Sequence, residues 1–168
     1  MTEARAARRI DTRPFIKEIN ALNLEGAVAL RDIGIISAES MGVSGFLTVF
    51  SVNGMELCSQ AVGETATPTN VKIAKGKIKT VLATGRSSRL QKERMAQKGQ
   101  SPDFFVGELG SLFGGGVAIF EDEDLKKFIG AMAFSGGTEA QDEEIGRQAI
   151  MHAGFFTDVK QVTETAVN

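Results

Sequence analysis

Phe15, Ile16, Ile19 and Leu22 recur at helical spacing behind Pro14, a residue suited to a first helical position, and Asn23 to Gly26 supplies a break. A short opening helix is expected there. From Ala27 onward, Ala27, Leu30, Gly34, Ala38 and Met41 step by three and four, which predicts a helix with small residues on its packing face and Gly42 as its stop. The period then changes. Phe46 to Val52 is apolar and β-branched, Asn53-Gly54 is a strong hairpin signal, and Met55 to Val62 returns as the partner strand.

Pro68 opens the next helix, in which Val71, Ala74, Ile78, Val81 and Leu82 form a stripe expected to face a sheet. Lys72, Lys75 and Lys79 cluster on one flank. Lys77 stands apart from them, with Ile73, Thr80 and Thr84, on a different face. Gly85 ends the helix, a short basic helix is expected around Leu90 to Ala96, and Ser101 to Gly115 reads as a loop. Gly116 to Phe120 and Phe128 to Phe134 form a second hairpin across the acidic turn Glu121 to Asp124. A last helix runs from about Ala140 to Ala153, with Thr138 or Glu139 near its start and Gly154 as its stop. Met1 to Arg13, rich in alanine and arginine, reads as an extension to a single domain spanning 14–159. Residues 160–168 read as a polar tail.

Composition narrows the classes. The chain has 168 residues, enough for one core without a disulfide or metal staple. A formal charge of -2 gives no general attraction to nucleic acid, and no apolar run reaches the roughly 20 residues of a membrane span. Neither nucleic acid nor a membrane is an expected partner. The one cysteine, Cys58, has no intramolecular partner, and the N-terminus shows no secretory apolar region, both of which favour the cytoplasm. With no tyrosine and one histidine, His152, the chain offers few iron ligands or imidazole bases.

The candidate chemistry lies in two glycine loops and one helix face. Gly114, Gly115 and Gly116 sit immediately before a strand, where backbone amides can turn toward a ligand or merely form a bulge. Ser135-Gly136-Gly137-Thr138 precedes a helix whose free amides can receive a carboxylate or simply be capped. Lys77 and Thr80 can offer a cation and a hydroxyl from nearly one helical turn. His152 suits a helix C-terminus, the acidic turn lacks a calcium-loop spacing, and Cys58 reads as an ordinary buried thiol. No metal site is expected.

Three stretches, Ile73 to Thr80, Gly114 to Ile119, and Ile129 to Gly137 followed by Gln141-Asp142-Glu143, resemble the GlcG/HbpS-like family in order and separation. That family includes the C-terminal domain of PduO-type proteins and is labelled haem-degrading or haem-binding. The resemblance covers about Ala27 to Phe155. It implies a profilin-like α/β fold, an antiparallel sheet flanked by helices, and symmetric homo-oligomers whose interfaces help enclose a pocket. Carried over position by position, it marks Lys77, Thr80, Gly114, Gly115, Gly116, Ser135, Gly136, Gly137, Gln141 and Asp142 as site residues. It assigns none of them as an axial haem ligand. The chain departs from the family at the first hairpin, where Ser51 and about Ala61 stand at positions usually held by an aspartate and an arginine. The implied function is binding of a small anionic molecule, either haem or a carboxylate-bearing ligand. The alternatives are a cofactor-independent isomerase, lyase or hydrolase of small-molecule catabolism, with Lys77 or Asp142 moving a proton, and an oligomeric accessory protein.

Overall fold

The computed structural model describes residues 22–103 and 110–161. The expected opening helix, the N-terminal extension and most of the C-terminal tail lie outside them. The described elements are α1 (Leu24–Ser40), β1 (Gly45–Ser51), β2 (Glu56–Val62), α2 (Pro68–Thr84), α3 (Ser88–Gln97), β3 (Gly116–Phe120), β4 (Phe128–Ser135) and α4 (Glu139–His152).

One boundary differs from the sequence expectation for a physical reason. Asn23 does not break a helix; its side-chain oxygen accepts from Gly26 N at 2.8 Å, so Asn23 is the N-cap and Leu24 to Gly26 form the first turn of α1. Helices α2 and α4 start as the pattern predicts, and α3 begins two residues before the expected Leu90. Thr67 caps α2 and Thr138 caps α4, each within a reciprocal capping box. Left-handed Gly85, at φ +65, closes α2.

The strands form one sheet in the order β2-β1-β4-β3, every neighbouring pair antiparallel. Strand alternation sorts its side chains into two faces. Leu47, Val49, Val117, Ile119, Met132 and Phe134 point to the side covered by α1 and α4, where they meet Leu30, Ile145 and Ile150. Ala118, Ala131 and Ala133 point to the other side and receive Ala74, Ile78 and Val81 of α2. The alanines on that face let α2 lie close. On the opposite side Gly34 serves the same purpose, since a Cβ there would stand 2.5 Å from Leu47 Cδ1. Burying each large aliphatic side chain in these layers contributes about 1.5–3 kcal/mol.

The acidic turn is explained by its own backbone. Asp122 accepts from Lys126 N and Lys127 N, and these amides hold its carboxyl below the usual range. Among the described residues, no helix is long and apolar enough to cross a membrane.

Candidate functional site

Lys77 leaves the middle of α2 on the face that the sequence separates from the other lysines, and that face is not solvated. Its side chain runs inward, 1% exposed, and the ammonium donates to Phe134 O at 2.8 Å and to Asp142 Oδ2 at 2.9 Å. Asp142 is equally enclosed at 3%, and its second oxygen accepts from Gly137 N at 2.8 Å. One ion pair thus joins α2, the end of β4 and the first turn of α4. Burial pulls the Lys77 ammonium below its ordinary range, and the Asp142 charge opposes that pull.

The first glycine loop lies directly over this pair. Gly115 has φ +114, and a Cβ there would stand 2.6 Å from Asp142 Cβ and 2.8 Å from Lys77 Nζ. Its carbonyl accepts from Phe134 N at 3.2 Å. Gly114 N donates to Glu139 Oε1 at 2.6 Å, and Gly116 N donates to Ser88 Oγ at 3.1 Å. Side chains of this chain therefore receive the amides of Gly114 and Gly116.

The second loop is built in the same way. Gly136 passes so close to the chain before β1 that a Cβ would stand 2.0 Å from Ser44 O. Thr138 N donates to Gln141 Oε1 at 3.0 Å, and Gln141 N returns a bond to Thr138 Oγ1 at 3.2 Å. Capping thus occupies the amides of Gly137, Thr138 and Gln141. Ser135 is buried at the start of the loop, whereas Gly136 to Ala140 are exposed.

Lys77, Gly115, Gly137 and Asp142 come together, with Gly114, Gly116, Ser135, Gly136 and Gln141 around them. The Thr80 hydroxyl does not join the ion pair. It donates to Ser111 O at 2.7 Å and pins the segment that leads into the glycine triplet. His152 is exposed at the far end of α4, about 20 Å from the helix start at 1.5 Å per residue. Cys58 is half-buried, with its thiol toward Ala27 O at 3.3 Å, and burial pushes the thiol's pKa up. Among the described residues no cluster of histidine, cysteine, aspartate and glutamate could hold a metal ion.

Several residues that shape this junction carry no motif. Ser88 also donates to Phe113 O at 2.6 Å, which fixes the entry to the triplet. Arg89 grips both oxygens of Glu143 at 2.9 to 3.1 Å, tying α3 to α4. The accessible rim consists of Gly136 to Ala140, Phe113 at 55% exposure, and Lys92, whose ammonium stands 3.9 Å from Glu139 Oε1. A serine pair before a helix is a capping signal; nothing local says that its hydroxyls will serve a distant strand.

The same architecture occurs in solved structures of low sequence identity. The haem complex of PduOC superposes with a TM-score of 0.71 at 22% identity, covering 82% of this chain and 98% of that one. A double mutant of HbpS from Streptomyces reticuli gives 0.69 at 21% identity, covering 80% and 88%. The Klebsiella pneumoniae protein ORFY gives 0.68 at 22% identity, covering 79% and 90%. No curated protein sequence matches the chain significantly. The family model described as haem degrading protein HbpS-like matches residues 22–151, which is most of the chain. The chain belongs to the HbpS-like family.

Proposed function

We propose that this protein binds haem or a small carboxylate-bearing molecule at the rim of the glycine junction. Membership of the HbpS-like family over residues 22–151 is the observation that carries this reading. The local chemistry supports it. Phe113 offers an exposed ring for a planar apolar group, and Lys92, only loosely engaged by Glu139, offers a cation to a carboxylate. Lys77 and Asp142 hold the two loops in shape from beneath. Glycines 114 to 116, 136 and 137 let those loops close over the pair, with Ser135, Thr80 and Gln141 fastening their ends.

The rim suits the carboxylates and one face of a haem better than its iron. The sequence has no tyrosine, and His152 lies at the opposite end of α4. The reading therefore assigns no axial ligand. Haem titrated into the purified chain is expected to give a saturable Soret change, with affinity about tenfold weaker in Phe113→Ala, the ratio that about 1.4 kcal/mol of lost stacking produces. Lys92→Glu should weaken small mono- and dicarboxylates in a thermal-shift series. A folded protein with no saturable Soret change removes haem, and one indifferent to both variants removes this rim as the site.

A further inference from the structure

Two carboxylates in the first turn of α4 reach the glycine loops, and they are held differently. Asp142 is sealed between Gly137 N and the Lys77 ammonium. Glu139 keeps its side chain at the surface, 51% exposed, yet its Oε1 accepts from the buried Gly114 N at 2.6 Å. Burial alone does not call for a carboxylate there. Two residues further along the same loop, Gly116 N is met by the hydroxyl of fully buried Ser88, a closure that no solute reaches. Gly114 N is closed instead by a charged group that water already touches.

The surroundings of Glu139 are those of a carboxylate site. The half-exposed Lys92 holds its ammonium 3.9 Å from the same Oε1, too far for a hydrogen bond, and Glu139 Oε2 meets no donor among the described residues. Exposed Phe113 directly precedes the amide. One N–H donor, one cation and one ring therefore converge on a carboxylate that belongs to the chain itself. A ligand carboxylate has the same charge and the same two acceptor oxygens, so it can take Gly114 N without leaving a buried donor unmet. Glu139 can yield its place readily. Its backbone stays packed on Gly114, where a Cβ would stand 3.2 Å from Glu139 Cβ, while its carboxylate turns about side-chain bonds into water.

We propose that Glu139 is a built-in stand-in for the ligand: it occupies the carboxylate subsite of the free protein, on Gly114 N and beside Lys92, and an incoming carboxylate displaces it. This role rests on the rim being the ligand site. Glu139, which lies outside the positions marked by the family resemblance, then sets the threshold for binding, because only molecules with its carboxylate swung out accept a ligand. A small anion that offers nothing to Phe113 gains little over Glu139, whereas a carboxylate on a planar ring gains the stacking as well.

Titrations of the full chain with benzoate and with haem, followed by calorimetry and by the Gly114 amide in heteronuclear NMR spectra, test it. Glu139→Ala is expected to bind benzoate about tenfold more tightly than the wild type, the ratio for an open form near one-tenth of the population. Glu139→Gln, which keeps a neutral acceptor, should gain about threefold. The Gly114 amide should exchange faster in Glu139→Ala and slow again when benzoate is added. The gain should persist in about 1 M salt, where a screening length of about 3 Å removes through-space repulsion. A gain that collapses in salt overturns the stand-in. So does affinity that is unchanged or weaker in both Glu139 variants while Lys92→Glu still weakens binding, an outcome that leaves the rim intact as the ligand site. Binding of neither probe to the wild type or to Glu139→Ala overturns the rim itself, and the stand-in with it. A gain for benzoate alone assigns the subsite to free carboxylates, and a gain for both probes extends it to the carboxylates of haem.

Discussion

At the β3 end of the sheet each outward amide finds an acceptor from a distant part of the chain, while at the β2 end the outward amides find none among the described residues. The difference follows from burial. Helix α3 and the segment around Phe156 cover β3, so a donor left unmet there would cost about 1–3 kcal/mol, and serine hydroxyls fill the gap. Water reaches β2, so folding alone demands no partner. The same contrast separates the ion pairs: Lys77 and Asp142 are sealed inside, whereas Lys75 and Glu56 meet at 3.3 Å with both side chains about two-fifths exposed.

Breaking the sealed pair should produce the largest effect. Asp142→Ala leaves the Lys77 ammonium buried without its counter-charge, and the expected loss is about 3–5 kcal/mol in urea unfolding. The double change Lys77→Met with Asp142→Asn should recover most of it. The pair also has a pH signature. Because burial lowers the folded-state pKa of Lys77 below its unfolded value, holding the proton there opposes folding at low and neutral pH. That opposition is relieved as pH rises through the folded pKa toward the ordinary lysine range. Stability should therefore gain from this group on the alkaline side, and Lys77→Met should remove that component of the slope.

Ser87→Ala tests the covered edge. Ser87 Oγ accepts from Ala118 N at 2.9 Å and donates to Asp158, while Ser87 N donates to Asp158 Oδ2 at 3.0 Å. Loss of the hydroxyl is expected to cost about 1–3 kcal/mol and to speed exchange of the Ala118 amide. The open edge should respond least. Lys75→Met breaks the exposed pair with Glu56, and its expected cost is about 0–1 kcal/mol by thermal unfolding, fading further in high salt. A cost above that of Ser87→Ala would reverse the ranking of the two edges.

The helices and strands were legible because their signals are local. Apolar period, Pro68, Asn53-Gly54, Gly85 and Thr138 each act on neighbouring backbone, and the described elements begin and end within a few residues of those marks. Asn23 was read as a break, not as the cap it is, because asparagine both interrupts one helix and caps the next. The candidate site was legible as a set of residues but not as a set of contacts. Two glycine loops and a lone lysine look the same in sequence whether their amides face a ligand or the chain itself.

The sequence by itself determined the order of elements and the two hairpins, for which spacing, capping and turn chemistry are enough, since they operate over a few residues. The antiparallel α/β class and the grouping of Lys77, the glycine loops and Asp142 came from the resemblance to the GlcG/HbpS-like family. Only the tertiary structure decided that Lys77 is locked to Asp142 across 65 positions, that Gly115 closes over them, and that Ser87 and Ser88 finish one edge while β2 leaves the other open. Those outcomes depend on which distant groups share a space without water. Burial fixes this only once both layers have closed on the sheet.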